Sequence, residues 1–162
     1  MTESSDEVVD FAVAAFREEG AWQVNALPPR AASDLETLLH ALRQSPGDSG
    51  ALGMVSVAED FFVLARVHGP DVRLLLSDIT AATEWPLARA VVDELGLPMP
   101  DDEDGLQPAG DMDILADVGF SAMDLAVLCD EEELYPDEML QDIANHVGFA
   151  KEYESAVDAD TE

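Results

Sequence analysis

Two stretches of this chain, Phe61-Phe62-Val63-Leu64 and Leu74-Leu75-Leu76, are apolar at consecutive positions. A β-strand sends successive side chains to opposite faces, so such runs belong where both faces of a sheet are covered. They demand central strands. They sit within three β runs, Ala51 to Val57, Phe61 to Val67 and Val72 to Ser77, separated by Ala58-Glu59-Asp60 and His68-Gly69-Pro70-Asp71. A three-stranded meander is the economical arrangement. Upstream, Trp22, Val24 and Ala26 alternate with Gln23 and Asn25, and Phe11 to Phe16 pairs with them as a hairpin through Glu18-Glu19-Gly20.

Two helices complete this first part. Ser33-Asp34-Leu35-Glu36 has the spacing of a capping box, and Leu35, Leu38, Leu39 and Leu42 make one apolar stripe that stops at Pro46-Gly47. A second helix runs from about Thr83 to Leu95, with Pro86 in its first turn and Gly96 at its end. The order is ββαβββα. Two helices cover one face, so the doubly apolar strands leave a second face for the acidic tail or a partner to cover. An uncovered face would also allow a homo-oligomer.

The composition shifts near residue 98. Leu97-Pro-Met-Pro-Asp-Asp-Glu-Asp-Gly-Leu-Gln-Pro-Ala-Gly110 has three prolines, two glycines and four consecutive acids, as suits a solvated linker. Beyond it, stripes at Ile114/Leu115/Val118, Leu125/Leu128, Met139/Leu140/Ile143/Val147 and Phe149/Tyr153/Val157 have helical spacing, punctuated by Gly119, Pro136 and Gly148. The expected organisation is a sheet domain over 1–97, a linker over 98–110 and a helical acidic part over 111–162, packed on the first. The fold class is α+β, with a five-stranded, largely antiparallel sheet. The same strand and helix order, less one initial helix, occurs in roadblock/longin-like modules, which are non-enzymatic binding platforms.

Charge limits the partners. There are 36 acids against 7 bases, a net charge of −29, and residues 98–162 hold 20 of the acids with Lys151 as their one base. Such a chain repels phosphate backbones and anionic membranes, so direct nucleic-acid binding through a broad basic patch is not expected, and partners should be basic or bind through small local patches. The amino terminus has no basic and apolar signal segment, and no apolar run approaches the ~20 residues that span a bilayer. The single cysteine, Cys129, rules out an intramolecular disulfide and suits a reducing compartment, the cytoplasm.

The runs Gly50-Ala-Leu-Gly-Met-Val-Ser-Val57, Asp60-Phe-Phe-Val-Leu-Ala-Arg66, Val72-Arg-Leu-Leu-Leu-Ser-Asp-Ile-Thr-Ala-Ala-Thr-Glu-Trp-Pro-Leu-Ala88 and Tyr135-Pro-Asp-Glu-Met-Leu140 closely resemble the tRNA adenosine deaminase-associated proteins of high-GC bacteria. The resemblance covers roughly residues 8–157. It implies a link to the enzyme that converts the wobble adenosine of an anticodon to inosine, and it supplies no catalytic residues.

A zinc deaminase needs a His/Cys/Cys or Cys₃ shell and a glutamate beside the bound water, with H-x-E and P-C-x-x-C signatures. None of His40, His68 or His146 is followed two residues later by Glu, and Cys129 stands alone. Any role in deamination is therefore non-catalytic. Cys129 follows Ala126-Val127-Leu128 and precedes four acids, which raise a thiol pKa and suit a small core residue better than a nucleophile. His40 lies in a helix, His68 in a turn and His146 in a last helical turn, positions of capping and surface roles. The acidic linker offers Asp102 and Asp104 at EF-hand positions three and five, but Pro100 and Asp111 fall at positions one and twelve, so the first ligand is missing. No cofactor and no metal site is expected.

The polar junction Ser77-Asp78-Ile-Thr80-Ala-Ala-Thr83-Glu84-Trp85-Pro86 leaves a buried strand and enters a helix, a place where scaffolds often carry function. Asp78, Thr80, Thr83 and Trp85 are candidate partner-binding residues, as are Tyr135 and Asp137 at the Tyr135-Pro136-Asp137-Glu138 helix start. Each also has a structural reading: Asp78 and Thr80 as a turn, Thr83 as a cap, Trp85 as a staple and the Tyr135 stretch as a Pro-initiated helix start. The reading that follows is a non-catalytic accessory protein acting with a tRNA adenosine deaminase by protein–protein contact. The alternative is an acidic nucleic-acid mimic whose carboxylates occupy another protein's basic groove. A small enzyme built on Asp and Glu has no supporting constellation.

Overall fold

The computed structural model describes residues 9–27, 34–44, 50–57, 61–68, 71–83, 85–97, 108–130 and 135–161. Strands β1 (Val9–Glu18) and β2 (Ala21–Leu27) form a hairpin in which Glu18 pairs with Ala21. Glu19 and Gly20 between them have φ of 54° and 83°. Two consecutive residues with positive φ match the right-handed twist of the strands, which makes this the tightest of hairpin connections.

Helix α1 (Leu35–Arg43) buries Leu35, Leu38, Leu39 and Leu42. Ser33 of the expected capping box lies outside the described residues, and the cap is Asp34, whose carboxylate accepts the Thr37 hydroxyl at 2.6 Å and the Glu36 amide at 3.1 Å. Those bonds, the Thr37 hydroxyl above all, hold its pKa below the ordinary value. Strands β3 (Ala51–Val57), β4 (Phe61–His68) and β5 (Asp71–Leu76) follow as an antiparallel meander. His68 is a strand residue paired with Asp71, so it does not belong to the turn as expected. A 3-10 turn (Ile79–Thr83) leads into α2 (Pro86–Leu95), which ends at Gly96. Helix α2 starts three residues later than Thr83 because the residue before a proline is forced from helical to extended backbone, here Trp85 at φ −114°, ψ 126°.

A sixth strand, β6 (Ala109–Gly110), pairs antiparallel with β5. It corrects the expected five-stranded sheet. The sheet order is β2-β1-β3-β4-β5-β6, and the element order is not ββαβββα, since a 3-10 turn precedes α2 and a strand follows it. The reason is local: two residues are too few for any periodicity, and they end a Pro- and Gly-rich segment that reads as linker. Residues 98–107 of that segment, including Asp102 and Asp104, lie outside the described residues. A 3-10 turn (Ala116–Val118) and helices α3 (Ala122–Cys129), α4 (Pro136–Val147) and α5 (Ala150–Thr161) complete the chain. The Ile114/Leu115/Val118 stripe thus lies in tight turns where a helix was expected.

The sheet is the middle of three layers. Helices α1 and α2 pack on Ala12, Ala14, Phe16, Val55, Phe61, Val63, Leu74 and Leu76 of one face. Leu115, Leu125, Leu140, Ile143, Phe149 and Tyr153 pack on Phe11, Val13, Leu52, Met54, Phe62, Leu64 and Leu75 of the other. The chain's own tail therefore supplies the second cover, so among the described residues β1, β3, β4 and β5 present no uncovered apolar face of the kind expected to favour a homo-oligomer. Phe62 and Leu75 are wholly buried, and each side chain of this kind contributes ~1.5–3 kcal/mol relative to exposure. No helix among the described residues is long and apolar enough to cross a membrane.

Candidate functional site

At the strand–helix junction the polar groups satisfy one another. The Ser77 hydroxyl accepts the Phe62 amide at 2.9 Å, while the Ser77 amide donates to the Phe62 carbonyl at 3.0 Å, so the end of β5 is pinned to β4. Asp78 is buried, and its Oδ1 accepts the Thr80 amide at 3.0 Å and the Thr80 hydroxyl at 2.6 Å. The Thr83 hydroxyl donates to the Thr80 carbonyl at 2.9 Å. That bond lies within the 3-10 turn, so the cap of α2 is Trp85 and not Thr83. Trp85 is half-buried, its indole 6.3 Å from the Phe61 ring and its amide bonded to the Ala81 carbonyl at 2.9 Å. Arg89 closes the turn by donating to the carbonyls of Ala82 and Thr83 at 3.2 and 3.4 Å.

Tyr135 and Asp137 lie elsewhere, on the helices that cover the other face of the sheet. Tyr135 caps α4, its amide donating to the Glu138 carboxylate at 2.9 Å, and the residue is 58% exposed. The Asp137 carbonyl accepts the Tyr153 hydroxyl at 3.1 Å, tying the start of α4 to α5. Burial, with the Asp137 charge adding to it, pushes the Tyr153 phenol above its ordinary pKa. Asp137, Gln141, Tyr153, Glu154 and Val157 line a shallow groove of about 180 Å³. The structure thus brings Asp78, Thr80, Thr83 and Trp85 together and keeps them apart from Tyr135 and Asp137.

A second polar cluster is invisible to motif reasoning. Arg66 on β4 and Arg73 on β5 are direct cross-strand partners. Arg66 holds Asp117 with both terminal nitrogens, at 2.5 and 2.9 Å, and donates to the Ile114 carbonyl at 2.8 Å. Arg73 donates to Asp111 at 2.6 Å and to the Asp113 carbonyl at 2.9 Å. Arg66 holds the Asp117 carboxyl below its ordinary pKa, and Asp111 raises that of Arg73. Arg66, Arg73 and Asp117, with His68 and Asp71, line a cleft of about 280 Å³. Chemically the cleft is a clasp for residues 111–117. The one signal in the sequence is a single arginine inside each of two otherwise apolar runs.

Cys129 is buried, and burial pushes its thiol up to about 12. A thiol of that pKa is no nucleophile near neutral pH. His40 contacts Gln44 at 2.8 Å, and the His146 ring sits edge-on to Phe120 at 5.0 Å. Asp111, the last position of the tested calcium spacing, is engaged by Arg73 and by the Asp113 amide at 2.9 Å. No group of three or more His, Cys, Asp or Glu side chains among the described residues is placed to hold a metal ion.

Among known protein families, residues 10–150 match the one described as Rv3753c-like tRNA adenosine deaminase-associated protein. Protein Rv3753c of Mycobacterium tuberculosis (strain ATCC 25618 / H37Rv) is 36% identical over 151 residues, which is 91% of this chain and 87% of that protein. No solved structure matches the chain. With a family match over most of its length and a relative at this identity, the chain belongs to the Rv3753c-like tRNA adenosine deaminase-associated protein family.

Proposed function

We propose that this chain is a non-catalytic accessory protein that acts with a tRNA adenosine deaminase through protein–protein contact. The observation that carries the reading is the family match over residues 10–150, in a chain whose sequence has no H-x-E, no P-C-x-x-C and a single buried cysteine. The state of the basic residues supports it. Arg66 and Arg73 are spent on aspartates, Arg89 on backbone carbonyls, and Arg17 stacks over Trp22 at 5.7 Å. A net charge of −29 opposes the phosphates of tRNA, whereas an enzyme that acts on tRNA presents the basic surface an acidic partner fits.

The test is co-expression with the deaminase followed by size exclusion at low and high salt. A complex that weakens as salt rises is expected, because complementary charge is screened beyond about 8–10 Å at physiological ionic strength. Separate elution at low salt would overturn the reading. So would inosine formation by this chain alone, or a micromolar tRNA gel shift with the inverse salt dependence of phosphate binding.

A further inference from the structure

Helix α3, Ala-Met-Asp-Leu-Ala-Val-Leu-Cys, has Asp124 as its one charged residue and is otherwise apolar or small around its whole circumference. A helix of that character is normally enclosed. Here only one side is. Leu125, Leu128 and Cys129 are buried against the sheet, while Met123 and Val127 are 76% and 63% exposed. Ala126 is exposed as well. Residues 123, 126 and 127 have the i, i+3, i+4 relation that puts side chains on one face, so they form a continuous outward stripe. Covering the sheet accounts for the inner side of α3 and not for this one.

The surroundings of the stripe say what would cover it. Asp124 and the C-cap Asp130 are exposed at its flanks, and in the sequence Asp130 opens a run of four acids. The negative end of the helix dipole points the same way as Asp130. A second copy would set one −29 chain against another and stack like charge around the contact. A segment with apolar side chains flanked by lysine or arginine meets both the stripe and its acidic rim. Methionine suits such a role because its unbranched, polarisable side chain adapts to the partner.

We propose that the Met123–Ala126–Val127 stripe is a docking surface for a basic amphipathic segment of a protein partner. If the accessory role above holds, that segment belongs to the deaminase, and to that extent the assignment rests on it. The partner's apolar residues cover Met123 and Val127, and its cations lie against Asp124 and Asp130.

The test uses the full chain and a double variant, Met123→Gln with Val127→Gln, which removes the apolar stripe and adds no charge. Fluorescence anisotropy measures binding of a labelled amphipathic Leu/Lys helical peptide and of a polylysine peptide of equal charge. At least tenfold weaker binding of the amphipathic peptide, with polylysine binding unchanged, is expected. Equal binding of the amphipathic peptide by both proteins would overturn the proposal. So would a wild-type dimer in sedimentation that the double variant loses, since it would assign the stripe to a second copy. The same pair is run against the deaminase: wild-type binding that the variant retains overturns this surface and leaves the accessory role standing. No wild-type binding, with stripe-dependent peptide binding, removes the role and keeps the surface. Urea melts of both proteins exclude unfolding, and Met123→Gln alone replaces the pair if the double variant is destabilised.

Discussion

Arg66 and Arg73 stand directly opposite one another on β4 and β5, and each carries its own aspartate, Asp117 and Asp111, from the segment after β6. Like charges at facing positions destabilise a strand pair, so each arginine needs its counter-ion. The same pairing fastens the stretch that leads the chain from one side of the sheet to the other.

Asp117→Asn is expected to lower stability by about 1 kcal/mol at neutral pH, a small figure because the Asp117 side chain is 58% exposed and solvent screens the pair. Arg66→Ala should cost about 2 kcal/mol, since Arg66 is 11% exposed and also serves the Ile114 carbonyl. Asp117 has a folded-state pKa below its ordinary 3.8. Its contribution is therefore fully present above 3.8 and is lost as pH falls through the lower folded value. Urea melts across pH should show the wild type and Asp117→Asn separated at neutral pH and converging in acid.

Gly110→Ala should cost about 2 kcal/mol or more. A Cβ at Gly110 would sit 2.3 Å from the Leu74 carbonyl oxygen, at a φ of +120° that disfavours any other residue. The Asp111 amide donates to that same oxygen at 2.9 Å, so the variant should also lose hydrogen-exchange protection at Asp111. An unshifted urea midpoint would contradict the close approach.

Trp85→Ala should cost about 2 kcal/mol, less than the roughly 3–5 of a wholly buried aromatic, because the indole is half-buried. Asp78→Asn should cost about 1–2 kcal/mol by weakening the bonds from Thr80. Under the proposed accessory role, neither should change binding to the deaminase when measured below the melting transition. Lost binding at an unshifted midpoint would make the junction the functional face.

Cys129 should resist alkylation by iodoacetamide in the native protein at pH 8, since a thiol pushed up to about 12 is almost wholly protonated there. Reaction should appear only through the urea transition. A fast native reaction would show that α3 opens locally.

The legible parts of this fold are those with a repeated pattern. The two leucine and phenylalanine runs locate β4 and β5, and the Leu35/Leu38/Leu39/Leu42 stripe locates α1, because each pattern is longer than one turn or pleat. The start of α2 is misread at Thr83, where the extended backbone forced on Trp85 by Pro86 outweighs the preference of threonine for caps. Strand β6 is hidden since its two residues carry no period and depend on a glycine approach to β5. The Arg66–Asp117 and Arg73–Asp111 pairs span 51 and 38 residues, so no local spacing announces them. Of the proposed site residues, Tyr135 is legible as a surface aromatic beside a proline. The α3 stripe is not, because apolar spacing does not say which side of a helix the sheet will take.

The helices beyond residue 110 should not be separable from the sheet. They cover Phe11, Val13, Leu52, Met54, Phe62, Leu64 and Leu75, all at most 4% exposed. A chain ending at residue 110 would uncover these side chains on a face with no other occupant among the described residues and would also lose Asp111 and Asp117 from the two arginines. An apolar face of that kind on β1, β3, β4 and β5 promotes aggregation. Expressed alone, residues 1–110 should therefore be insoluble or bind the dye ANS without a cooperative urea transition, whereas the full chain melts in one step. A soluble, cooperatively folded 1–110 fragment would show that the first part is a domain in its own right and that its second face is an available surface. Adding residues 111–162 as a separate chain supplies the complementary arm: recovery of a single cooperative transition is the outcome that one shared three-layer core requires.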